Sequence, residues 1–281
     1  MKNYRSVALA VLIGASSTMS CTENTGTSTG ENKTAAAKIK EDAVSYTADT
    51  AKLQGYVAYD ENIEGRRPAI LIVHEWWGPG DYTRNRAKQL AGMGYTAMAV
   101  DMYGNGKMGD SPEAAGALAM PFYTNPQLCK TRLEAALTML KKLPQVDTNN
   151  IAAIGYCYGG FVVLNAAKQG SDLKGVVSFH GGLAGVQPSK DLLKADILIC
   201  HGGADGFVPQ PEVNAFKKGM DSIKASYTFK VYPDATHAFT NPEATAKGKQ
   251  FSMPIEYNAA ADTASWNDMK VFFNKIFAAG K

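Results

Sequence analysis

The sequence is poor in the residues that bind metals or carry redox chemistry. Four cysteines (Cys21, Cys129, Cys157, Cys200) and four histidines (His74, His180, His201, His237) are spread over 281 residues. No two cysteines have C-x-x-C spacing and the histidines fall in separate segments, so neither a zinc site nor a dithiol motif is expected. Charge of one sign is scarce too: 29 Lys and Arg against 26 Asp and Glu leave +3. That excess is too small and too scattered to argue for nucleic acid or acidic lipid as a partner. After the N-terminus no apolar run is long enough to cross a bilayer. There is no internal repeat, and no glycine-rich nucleotide fingerprint stands where a helix would open. No cofactor is called for. What remains is a chain with an ordinary globular balance, 45% hydrophobic and 20% charged.

The first residues differ from the rest. Lys2 and Arg5 precede SVALAVLIGASS, a short apolar run ending in small residues, which is the pattern of a secretory signal. STMSC resembles a lipoprotein processing site with Cys21 as the lipidated residue, although Thr18 and Met19 depart from the usual aliphatic preference. A plain cleaved signal is the other reading. Either way residues 1–20 predict export, to a bacterial periplasm or as a membrane-anchored lipoprotein, with any membrane contact through the lipid alone. Residues 21–44, rich in Thr, Gly, Asn and Ser, suit a flexible tether. Fixed structure is expected from about Ser45 to residue 281 as one domain. Oligomeric state is not legible.

Within that domain GYVAYDE (Gly55–Glu61) alternates like an edge strand. PAILIVHE is a continuous apolar run, as a strand covered on both faces should be. Asp81 could cap the helix that follows WWGPG. GYTAMAVDMYG is a second buried strand, and GNGKMGDSPEAAGALAM reads as a loop with a short helical piece. NIAAIGYC, KGVVSFHGG and ADILICHGGAD repeat the strand-then-turn form, with helices between and after them. Such alternation predicts a mostly parallel sheet with helices on both faces. Ligands of such sheets sit at the carboxyl ends of the strands. The turns at those ends are HEWWG, DMYG, GYCYGG, FHGG, HGGAD and PDATHAF, and they hold every histidine and Cys157.

GYCYGG has the form G-x-C-x-G between a strand and a helix. In a nucleophile elbow the flanking glycines avoid clashes in a sharp turn that lifts the nucleophile above the sheet. The turn also sets Cys157 at a helix N-terminus, where an anion is favoured. Asp205 and His237 follow in the turns after two later strands, so the chain order is nucleophile, acid, histidine. In that arrangement His237 moves a proton, Asp205 fixes its tautomer, and Cys157 attacks a carbonyl carbon. Each residue also has a plain structural reading: a buried thiol, a turn-forming Asp before Gly206, a loop histidine. An oxyanion would be held by the backbone N–H of Tyr158 and, from HEWWG, that of Trp76. Of the other cysteines, Cys200 reads as a buried thiol, and a Cys129–Cys200 disulfide is open on sequence alone.

HEWWG, GYTAMAVDMYG, GYCYGG, SFHGG, HGGADGFVP and THAFTNP occur in this order. Together they resemble the dienelactone hydrolase family of the α/β-hydrolase superfamily, over nearly all of residues 55–280. The resemblance implies an α/β-hydrolase fold and a Cys157–Asp205–His237 triad. It also implies a role for Glu75, whose carboxylate in the family helps to generate the thiolate. Dienelactone-cleaving members hold the substrate carboxylate with two arginines. Here the corresponding stretches carry Lys107 and Asn241, neither of which offers the planar fork of arginine. The expected substrate is therefore a small ester or lactone other than dienelactone. Trp77, Tyr156, His180, Phe239 and Asn241 are candidates to line the pocket. Phe122 and Tyr123 could form a small lid, and the long segment after His237 should fold over the mouth. His74 and His201 read as hydrogen-bonded structural residues. Two rival readings are a non-catalytic envelope binding protein on the same fold and a redox-reactive thiol at Cys157.

Overall fold

The computed structural model describes residues 36–278. The signal reading, Cys21 and the tether as far as residue 35 lie outside the described residues.

Eight strands form one sheet in the order β1-β2-β4-β3-β5-β6-β7-β8. The strands are β1 (Ile39–Ala48), β2 (Ala51–Asp60), β3 (Arg67–Val73), β4 (Thr96–Val100), β5 (Val146–Tyr156), β6 (Gly175–Phe179), β7 (Asp196–Gly202) and β8 (Tyr227–Tyr232). From β4 to β8 every neighbour is parallel, while β1 and β2 join antiparallel. The order reverses at β3, which has β4 on one side and β5 on the other. That switch opens a crevice above the carboxyl ends of β3 and β5.

Among the described residues seven helices cover the sheet: α1 (Asp81–Gly92), α2 (Pro112–Thr124), α3 (Pro126–Leu140), α4 (Tyr158–Lys168), α5 (Gln210–Ser222), α6 (Ala244–Phe251) and α7 (Ala259–Ala278). Strand alternation splits the core between two faces. Ala69, Leu71 and Val73 of β3 pack with Phe122, Leu133, Val162 and Phe216 from α2 to α5. Ile70 and Ile72 pack with Leu90 of α1 and Phe273 of α7.

Four expectations change. Order begins by Ile39, because the alternating residues of β1 pair along the whole of β2, from Ile39↔Asp60 to Ala48↔Ala51. The edge is therefore β1, and β2 is interior. Residues 104–111 of the stretch read as loop with a short helical piece are loop, but the helical piece is the 13-residue α2, capped by Ser111 accepting from the Ala114 N–H; Phe122 and Tyr123 belong to that helix. Asp81 is the first helical residue of α1, whose N-cap is Gly80 without a side-chain bond. Cys129 and Cys200 are both free and buried, one in each core face, so the sheet separates them and no disulfide joins them.

Candidate active site

β5 delivers Cys157 to the crevice. The residue sits at the N-cap of α4 with φ 53° and ψ −116°, a backbone state an L side chain rarely takes. The flanking glycines are required by space. A Cβ on Gly159 would lie 2.3 Å from the Val73 carbonyl oxygen, and one on Gly155 would lie 2.0 Å from that of Gly159. The start of α4 thus presses directly on the end of β3. Hydrogen bonds fix the turn from below: the Cys157 N–H donates to the Phe179 carbonyl at 3.0 Å and to His180 Nδ1 at 3.1 Å.

His237, in the turn after β8, joins the thiol to Asp205, in the turn after β7. Its Nε2 is 3.0 Å from Cys157 Sγ and its Nδ1 is 2.9 Å from Asp205 Oδ2. The other Asp205 oxygen accepts the Phe207 N–H at 2.8 Å. Burial alone would depress the His237 imidazolium, but the Cys157 sulfur and the Asp205 carboxylate outweigh it and hold the pKa up at about 10. Burial pushes Asp205 up, yet the His237 hydrogen bond and charge leave it below the ordinary carboxylate value. A group raised from 6.5 to about 10 stabilises the fold fully below 6.5, and the gain is lost as pH rises through about 10. The His237 ring is therefore expected to stay protonated through pH 8 in an NMR titration. In Cys157→Ala it should titrate lower, because its largest raising partner is gone while burial remains. Equal values in the two proteins would contradict this coupling.

The Tyr158 N–H, at the first position of α4, has no intrahelical acceptor. Neither it nor the Trp76 N–H donates to another group among the described residues. Tyr158 directly follows the thiol and Trp76 lines the same cavity as Cys157, as an oxyanion site would need.

A cavity of about 340 Å³ lies over the thiol. Cys157 and His237 lie at its base, and Trp76, Tyr123, Phe161, Phe207, Met253 and Ile255 supply apolar walls. Its carboxylates are Glu75 and Glu212, and no lysine or arginine lines it among the described residues. Tyr123 reaches it from α2, and Met253 and Ile255 come from the segment expected to fold over the mouth. Phe161, Phe207, Val208 and Glu212 were not singled out by sequence. The only available signal was their place just after the elbow, in the turn after β7 or, for Glu212, in the first turn of α5.

All five proposed lining residues lie outside this cavity. Tyr156 is buried on the far face, stacked on Phe179 at 4.8 Å. Phe239 is fully buried against His180 at 5.2 Å. Trp77 turns away and stacks on Phe251 at 5.6 Å, with the Lys247 ammonium 4.9 Å over its ring. His180 lies beneath the thiol rather than beside a ligand. Its Nδ1 accepts the Cys157 N–H, so its proton is on Nε2, which donates to Thr240 Oγ1 at 2.7 Å. Burial and the nearby His237 charge keep it neutral. Thr240 is held in turn by Tyr82 and by the Arg86 guanidinium, which also pairs with Asp262. Sequence offered no sign of this buried chain beyond an arginine on the apolar face of α1.

Asn241 does not line this cavity either: its Nδ2 donates to Glu75 Oε2 at 2.6 Å. Glu75 lines the cavity beside Cys157 but makes no hydrogen bond to its sulfur, which faces His237. Burial raises its carboxyl above the ordinary range, against the Asn241 bond and the charges of Lys247 and His237. His74 is structural as expected, bridging the Glu75 carbonyl and the Met102 N–H. His201 is buried against Phe229, ring centroids 5.6 Å apart. Among the described residues no cluster of His, Cys, Asp or Glu could hold a metal.

Burial pushes the Cys129 and Cys200 thiols up to about 12, while Cys157 faces the cavity. A disulfide reagent added to the folded domain is thus expected to titrate one thiol rapidly, and the other two only on unfolding. Rapid loss of a second thiol would contradict the placement of Cys129 or Cys200.

A doubly covered parallel sheet, a thiol on a strand–helix elbow and an imidazole–carboxylate pair from later turns define an α/β-hydrolase. The dienelactone hydrolase family profile matches residues 53–277, and the chain belongs to that family. It is a hydrolase. The crystal structure of a dienelactone hydrolase-like promiscuous phosphotriesterase from metagenomic libraries superposes with a TM-score of 0.80 at 29% identity, covering 85% of this chain and 98% of that one. An uncharacterized protein of Caenorhabditis elegans is 35% identical over 152 residues, 53% of this chain and 94% of its own. A protein of Escherichia coli K12 named "putative carboxymethylenebutenolidase" is 25% identical over 238 residues, 79% of this chain and 82% of its own.

Proposed function

We propose that the protein hydrolyses a small uncharged carboxylic ester or lactone through a thioester on Cys157. The observation that carries this reading is the continuous path from Cys157 Sγ through His237 to Asp205, at 3.0 and 2.9 Å. In the reaction, His237 holds the thiol proton and the sulfur attacks the carbonyl carbon. The backbone N–H groups of Tyr158 and Trp76 donate to the developing oxyanion, and His237 Nε2 protonates the leaving oxygen. Water then cleaves the thioester. Asp205 keeps the imidazole in the required tautomer throughout.

The cavity favours a neutral acyl group. Its walls are aromatic and aliphatic, and its two carboxylates would repel a substrate carboxylate that no lysine or arginine compensates. The test compares 4-nitrophenyl butanoate with 4-nitrophenyl hemisuccinate, which carry the same leaving group. The neutral ester is expected to show a kcat/KM at least about tenfold higher, a difference of about 1.4 kcal/mol. Preference for the anionic ester would overturn this choice of substrate.

The rival readings gain nothing. A binding protein needs no aligned thiol, imidazole and carboxylate, and a reversible redox thiol lacks a partner here, since Cys129 and Cys200 are buried in the core. Export remains a proposal from the pattern of residues 1–20.

A further inference from the structure

Behind Glu75 lies a second, smaller cavity of about 180 Å³. It is polar where the first is apolar: Asn241, Asp81, Glu243 and Lys247 line it, and Met108, 56% exposed, stands at its rim. Glu75 is the one residue lining both cavities. Asn241 holds Oε2 of its carboxyl, and Oε1 accepts no hydrogen bond from the described residues. The thiol has no need of this group in the resting protein, because its sulfur is already paired with His237.

The later half of the reaction has a use for a second base. When a lactone opens, the released hydroxyl stays tethered to the acyl group and has just taken its proton from His237. It remains beside that imidazole, placed to close the ring again. A water activated from the same side competes with it, and a water from the opposite side does not.

We propose that Glu75 is the general base of thioester hydrolysis, acting on water that enters through the polar side cavity; this rests on the acyl-enzyme reading above. The water oxygen bonds to the thioester carbonyl carbon and its proton passes to the Glu75 carboxylate. Collapse of the tetrahedral intermediate breaks the C–S bond and returns the electron pair to Cys157 sulfur, beside His237. The carboxylic acid leaves by the apolar cavity, the Glu75 proton leaves through the side cavity, and His237 takes up a proton from solvent to restore its pair with the Cys157 thiolate. Burial of Glu75 supports the role, since a desolvated carboxylate is a stronger base once ionised.

Glu75→Gln tests this directly. Glutamine keeps an acceptor for Asn241 and removes the base. With 4-nitrophenyl butanoate in stopped flow, the first-turnover burst should keep the wild-type rate constant while the steady state falls about 10²-fold. Intact mass should show butanoyl accumulating on Cys157, and hydroxylamine should speed its release more in the variant than in wild type. Met108→Trp, which narrows the rim of the side cavity without touching the apolar one, should slow the steady state alone. A burst lost together with the steady state would place Glu75 in thiol activation instead. An unchanged steady state in Glu75→Gln would overturn the base, and one in Met108→Trp would overturn the route. Wild-type turnover that survives Cys157→Ala would remove the thioester itself, and with it the underlying reading.

Discussion

Cys157→Ala is expected to lower kcat/KM on an activated ester by at least about 10⁴-fold, roughly 5.5 kcal/mol of transition-state stabilisation, and to lower thermal stability less than His237→Ala does. The sulfur is the atom expected to bond to the substrate, so nothing replaces it. It fills no core position, so its removal leaves no deep cavity. His237→Ala should lose a similar factor for a different reason, and it should also unfold more easily. The Asp205 side chain is wholly buried and the imidazole is its main partner; without it the carboxylate keeps only the Phe207 N–H. Breaking one side of such a pair typically costs about 3–5 kcal/mol. Kinetics with melting curves on both variants check the pattern. Equal stability of the two, or retained turnover in either, would contradict the roles given to these side chains.

Gly159→Ala is expected to be among the most damaging single-methyl changes in the domain. The new Cβ would stand 2.3 Å from the Val73 carbonyl oxygen and 2.7 Å from that of His74. Both are backbone atoms at the end of β3, so no side-chain rotation relieves the clash. The start of α4 must retreat from the sheet and carry Cys157 with it. A loss of about 3 kcal/mol or more is expected, lowering Tm by roughly 6–12 °C for a domain of this size, together with most of the activity. Gly116→Ala is the control. It lies inside α2 with nothing within 4 Å of a new Cβ, and alanine there should stabilise by about 0.5–1 kcal/mol. Similar melting points for the two variants would mean that the elbow is not sterically fixed.

The three residues of the array were legible in sequence because topology does the work of bringing them together. Each ends or follows a strand of one parallel sheet, so the turns after β5, β7 and β8 must open on the same edge. What surrounds them was less legible. The pocket walls come from Tyr123 on α2, Phe207 after β7 and Met253 beyond α6, and no periodicity links such distant positions. Tyr156 and Tyr158 flank the thiol in sequence, but a residue beside the nucleophile points into the core on either face, and both rings are fully buried. His180 looked like a ligand contact because it ends a strand near the site. Its burial against Phe239 and its bond to the Cys157 N–H make it a support for the turn instead. Asn241 was read by what it lacks as a cation, whereas its amide serves Glu75. β1 was missed because its charged, alternating residues resemble a tether until they find β2.

The most direct test of the account is intact-protein mass spectrometry of the folded domain mixed with 4-nitrophenyl butanoate and quenched within the first turnover. The account predicts one butanoyl adduct, mapped to Cys157, that decays as product forms and never appears in Cys157→Ala. Turnover with no adduct on wild type at any quench time, or an adduct that persists in Cys157→Ala, would contradict it.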